Sequence, residues 1–210
     1  YENEFDGHGT CCSGIIGAAN NEIGIVGIAH TSKIIPIRFG HTVKKYHRES
    51  NHDSLTLHWD WVTHSNWIID AFNHACYEDS ADVLSCSFGF LSHSNALDNK
   101  LREVCENGRN GRGCIVVVSA GNTDNTSGPP ADTLGFLSKH PSVISVGSIN
   151  PCGERVIYGT SCGLSSSYNS CYGDSLDVVA PGINIPTTKV SDRYTTSFTG
   201  TSSAAPHVAG

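Results

Sequence analysis

Ser202 lies in Phe198-Thr199-Gly200-Thr201-Ser202-Ser203-Ala204-Ala205-Pro206-His207-Val208-Ala209-Gly210, where a run of small residues leads into the start of a helix. A serine at a helix start ordinarily caps it, its hydroxyl accepting an amide hydrogen bond. Here Gly200 lets another chain segment approach closely, the first-turn amides can hold an anion, and Ala204-Ala205 leave room for a substrate or a neighbouring helix. Pro206 is tolerated only near a helix start or at a kink. Such a serine can act as a nucleophile if a histidine takes its proton.

The string Gly-Thr-Ser-x-Ala-x-Pro-His-Val-Ala-Gly resembles the serine segment of the subtilisin-like proteases, the subtilases. The resemblance implies an α/β fold, a mostly parallel twisted sheet with helices on both faces, and a histidine and an asparagine block upstream. His8 sits in His-Gly-Thr-x-x-x-Gly, similar to the family's histidine block, and inherits the role of general base and then general acid. Asn122 ends Ser119-Ala120-Gly121-Asn122, after a β-branched run. Its carboxamide would donate to negative charge on the scissile carbonyl oxygen, with the Ser202 amide as second donor; one such donor is worth about 2.7–4 kcal/mol of barrier. Taken singly, His8 reads as an ordinary surface or structural histidine and Asn122 as a turn residue.

By the same resemblance, Ser87, Phe88 and Gly89 pair with an extended substrate by strand addition. Ala120 and Gly121 wall the primary specificity pocket and Gly135 forms its floor. Kexin-like convertases carry an aspartate just before that glycine, whereas this chain has Leu134, so an apolar or aromatic side chain is expected at the cleavage site. Cys12 holds the place of a free cysteine beneath the histidine in some branches, and also reads as a small buried hydrophobe. The family's calcium loop would use the carbonyls of Ala19, Ile23 and Ile25 and the amide oxygen of Asn21, although Asn20-Asn21 is also a plain turn signal. No cofactor is required for the chemistry.

The triad aspartate of the family is missing. Only seven residues precede His8, and Asp6 is too close along the helix entry to serve. The segment therefore reads as one catalytic domain, residues 1–210, cut at both ends from a longer precursor with an N-terminal propeptide. The implied activity is that of a serine endopeptidase acting on proteins or peptides. A non-catalytic protein-binding relative and a peptide ligase or macrocyclase using the same acyl-enzyme are the alternatives.

The elements that must position these residues follow from composition and pattern. With 38% hydrophobic residues, the chain can bury one sizeable core. A formal charge of −7 without a basic cluster argues against nucleic acid, and no apolar run is long enough to span a membrane. Nine cysteines without zinc-type spacing suggest an oxidising, extracytoplasmic destination, with pairing undetermined. Helices are expected around 5–19, 67–76 and 95–107, and strands at 33–38, 81–89, 114–118 and 141–147, with a short one near 23–29. Residues 41–64, carrying five histidines, read as a surface insertion, and 158–173 as surface loops. Asn125-Thr126-Ser127 is a glycosylation sequon.

Overall fold

A computed structural model describes residues 7–48, 55–89, 93–123 and 134–210. The sequon lies outside the described residues. Along the chain run α1 (His8–Gly17), β1 (Gly40–Arg48), β2 (Leu55–Thr63), α2 (Ser65–Asn73) with a π-helical turn (His74–Glu78), β3 (Val83–Cys86), α3 (Asn95–Gly111) and β4 (Ile115–Ser119). Then come β5 (Asn122–Thr123), β6 (Ile144–Ile149), β7 (Gly159–Ser161), β8 (Leu164–Ser166), β9 (Asn169–Ser170), β10 (Val178–Pro181), β11 (Ile185–Lys189), β12 (Arg193–Phe198) and α4 (Thr201–Ala209).

The centre is a parallel sheet in the order β10-β6-β4-β3. One of its two inner strands, β4, supplies Val116, Val117 and Val118, all buried, as a β-branched run must be when both faces are covered. Successive side chains point to opposite faces. Val116 and Val118 therefore join Ile68, Phe72, Leu97, Leu101 and Val104 of α2 and α3, whereas Val117 joins Val146, Ala180 and the α4 residues Ala204 and Ala205. The architecture is α/β with helices on both faces, as expected.

Helix α1 packs against α4 and β11. Its small residues permit the approach: a Cβ on Gly14 would lie 2.6 Å from Thr187 Oγ1. Thr187 and Thr188 use this proximity to donate to the carbonyls of Cys11 at 2.6 Å and Thr10 at 2.8 Å, which fixes the helix that carries His8.

Several local expectations are corrected. Residues 33–38 form no strand; among the described residues no strand pairs with this segment, and Ile34 and Ile35 stay exposed. Residues 23–29 likewise form a loop. It doubles back along α1, through Gly27, Ile28 and Ala29 amides bonded to the carbonyls of Ala18, Ile15 and Ile16. Within the stretch read as a surface insertion, β1 and β2 pair as regular antiparallel strands. Within 158–173, β7 pairs with β8 and Tyr168, Asn169, Ser170 and Cys171 are buried, so this stretch belongs partly to the interior. Cys152 and Cys162 form a disulfide.

Candidate active site

Helix α4 begins after Gly200, whose φ of 132° lies in the region that favours glycine. Ser202 follows in the first turn, half-buried. In a regular helix its carbonyl would accept from the amide four residues on, but that residue is Pro206, which has no N–H. Two side chains from other parts of the fold take up the freed carbonyl: Ser87 Oγ donates at 2.9 Å and Cys12 Sγ at 3.5 Å. The Ser202 hydroxyl in turn donates to the Ser87 carbonyl at 3.3 Å. The proline thus opens a helix position through which α1, β3 and α4 are tied together at the serine.

Asn122 is oriented by the residue before Ser202. The Gly121 amide donates to Thr201 Oγ1 at 3.1 Å, so the Thr201 hydroxyl proton is directed to Asn122 Oδ1, also at 3.1 Å. The Thr201 amide donates to the same oxygen at 3.0 Å. With Oδ1 facing two donors, the Nδ2 group is left to donate elsewhere. It lies beside Gly200, where a Cβ would come within 3.1 Å of it. Asn122 is exposed, in the short pair β5–β9 at the carboxyl end of β4.

His8 opens α1, with its ring edge against Phe198 at 5.5 Å and Cys12 Sγ 3.8 Å from Nδ1. One side of the residue remains exposed, yet the surrounding protein desolvates the ring and lowers its pKa below the usual value. Among the described residues no carboxylate reaches this ring, and His8 and Ser202 share no direct hydrogen bond. Cys12 lies against both. Burial pushes its thiol up to about 12, against a smaller opposing effect from Ser87, so it is neutral at physiological pH.

Ser87, Phe88 and Gly89 leave the end of β3. Phe88 packs on Phe39 at 4.4 Å, next to the base of the hairpin, and none of the described residues stands within 4 Å of where a Gly89 Cβ would be. Ala120 and Gly121 leave the end of β4; Ala120 packs with Leu134 and Cys171. Ser138, unremarked in the sequence, donates to both the Ala120 and Gly135 carbonyls at 3.4 and 3.1 Å and so joins the two segments expected to form the pocket. Thr201, Ser138 and the hydroxyl of Ser87 carry no signal of their own; only the proline four residues after Ser202 hints that its carbonyl needs outside partners.

Ala19, Asn21, Ile23 and Ile25 share the loop after α1, and Asn21 Oδ1 accepts from the Ile23 amide at 3.2 Å, forming a local turn. Their donors are oxygens, the type a calcium ion takes, and Asn21 Oδ1 keeps a second lone pair.

Comparison with known proteins bears on the family and the fold. The Subtilase family profile matches residues 1–210. Subtilisin of Bacillus pumilus is 31% identical over 203 residues, covering 97% of this chain and 60% of that protein. The major intracellular serine protease of Bacillus subtilis is 29% identical over 207 residues, covering 99% of this chain and 54% of the relative. The solved structure of the prenylagaramide maturation protease PagA superposes with a TM-score of 0.67 at 20% identity, covering 97% of this chain and 61% of that one. The chain spans about three fifths or less of the length of these relatives. With a family match over its whole length, an α/β sheet of the corresponding kind and the serine, histidine and asparagine motifs in place, this chain belongs to the subtilase family.

Proposed function

We propose that the whole protein is a serine endopeptidase in which Ser202 is the nucleophile, His8 the proton carrier and Asn122 an oxyanion donor. The observation that carries this reading is the Thr201 lock on Asn122 Oδ1, which leaves the Nδ2 group to donate elsewhere, beside Gly200 and two residues before Ser202. In the reaction Ser202 Oγ turns from the Ser87 carbonyl and attacks the scissile carbon while His8 takes its proton. Asn122 Nδ2 and the Ser202 amide hold the oxyanion. His8 then protonates the leaving amine, and water releases the acyl group by the same steps reversed. Ser87 to Gly89 pair with the substrate backbone, and Ala120, Gly121 and Gly135 enclose an apolar or aromatic side chain.

The carboxylate that fixes the His8 tautomer comes from a segment outside residues 1–210, and a propeptide accompanies it in the precursor. In support, burial lowers the pKa of His8, and among the described residues no acid offsets it. We read residues 1–210 as part of one catalytic domain, with 41–64 as a surface insertion. A calcium ion held by Ala19, Asn21, Ile23 and Ile25 would brace the loop after α1 and take no part in the chemistry. Export to an oxidising compartment is supported by the Cys152–Cys162 disulfide. Among the described residues no helix is long and apolar enough to cross a membrane.

The test is a fluorophosphonate probe on the full-length protein. Labelling that vanishes in Ser202→Ala is expected, and labelling that survives the substitution overturns the assignment. Product analysis with a peptide bearing a free amine separates hydrolysis from ligation by the same acyl-enzyme.

A further inference from the structure

Away from the site, the core between the sheet and helices α2 and α3 holds Cys76, Cys86, Cys105 and Cys114. Two of them touch: Cys76 Sγ and Cys114 Sγ are 2.9 Å apart, nearer than unbonded sulfur atoms rest, although 38 positions separate them in the chain. Both are buried, at 1% and 4% exposure. Backbone hydrogen bonds fix the chain around them. The Ala81 amide donates to the Ala75 carbonyl at 2.8 Å, beside Cys76, and the Ile115 amide donates to the Asp82 carbonyl at 3.1 Å, beside Cys114. Cys105 is directed elsewhere, its thiol donating to the Ser142 carbonyl at 3.2 Å. The same chain already carries one disulfide, Cys152–Cys162.

We propose that Cys76 and Cys114 are joined by a second disulfide, which staples the π-helical turn after α2 to the start of β4. The bond forms by exchange with an oxidant of the disulfide class, such as a protein oxidoreductase or glutathione disulfide. One thiolate attacks the oxidant's disulfide and expels one of its sulfurs. The other thiolate then attacks the mixed disulfide, so that two protons and two electrons leave the cysteine pair and the oxidant ends as two thiols. Burial, reinforced by the neighbouring Cys114, holds the Cys76 thiol far above its usual range. The exchange therefore takes place while the chain is folding, before this core closes, and the closed core then shields the bond from reductant. The linkage is independent of what happens at Ser202.

The full-length protein, exported through an oxidising compartment, is denatured without reductant, alkylated with iodoacetamide, digested and analysed by mass spectrometry. A cross-linked pair of peptides containing Cys76 and Cys114, lost after dithiothreitol, is expected, with Cys12 and Cys86 alkylated. Alkylation of both Cys76 and Cys114 overturns the proposal, as does a cross-link from either to a different cysteine. Thermal unfolding supplies a second readout. Without reductant, Cys76→Ala and Cys114→Ala should each lower the midpoint by about 10 °C, and the double variant by scarcely more than either, because one bond is lost in all three. Losses that add fully in the double variant contradict a shared bond.

Discussion

The Thr201 hydroxyl, itself accepting from the Gly121 amide, donates to Asn122 Oδ1 at 3.1 Å and so sets which end of the carboxamide lies beside Gly200. In Thr201→Val the main-chain bond to Oδ1 survives but the hydroxyl relay is lost. A fall in kcat of about tenfold with KM little changed is expected, against about 10²–10³-fold for Asn122→Ala. Steady-state kinetics of the two full-length variants with one peptide substrate check this. Equal losses would mean that the relay is as important as the donor itself.

Gly200 presents a backbone argument. An alanine there must adopt φ 132° and place its methyl 3.1 Å from Asn122 Nδ2. Gly200→Ala should cost about 1–3 kcal/mol of stability through backbone strain and also depress kcat by displacing the amide. Denaturant unfolding and kinetics measured on the same variant separate the two effects.

Pro206→Ala gives the opposite pairing of effects. Alanine is about 3 kcal/mol more favourable than proline in a helix interior, so thermal stability should rise or hold. The restored amide would recapture the Ser202 carbonyl and compete with Ser87 and Cys12. The fluorophosphonate labelling rate of Ser202 should fall about tenfold while the melting temperature does not.

His140 is buried beneath α3, its Nδ1 accepting from the Ser142 amide at 3.1 Å and its Nε2 3.4 Å from Asp98. Desolvation lowers its pKa, with Arg102 acting the same way and Asp98 opposing. A histidine with a depressed folded pKa binds its proton more readily in the unfolded chain. Its contribution therefore destabilises the fold as pH falls from about 6.5 through the folded value. The melting temperature should rise with pH across that window, and His140→Asn, which retains an acceptor for Ser142, should flatten the slope. An unchanged slope would assign the effect to other groups.

What the sequence reveals and what it hides has a physical basis. Ile115–Ser119 is legible because a β-branched run buried on both faces leaves a continuous apolar signature. The serine, histidine and asparagine motifs are legible because close packing at Gly14 and Gly200 permits little but small residues around them. The hairpin was obscured by its histidines, although Leu55, Leu57, Trp59 and Trp61 alternate as a strand should. Residues 33–38 carry a strand-like composition, but a strand also needs a neighbour, and no local pattern reports one. The Cys76–Cys114 approach and the Ser138 bridge join residues distant in the chain, so spacing alone could not disclose them.

The exchange of a helical amide for two distant side chains at the Ser202 carbonyl makes reactive geometry a product of long-range assembly. A chain in which α4 has formed but α1 or β3 is still unplaced would hold Ser202 without the side chains that engage its carbonyl. On the proposed reading, such a half-built intermediate should react poorly with a fluorophosphonate.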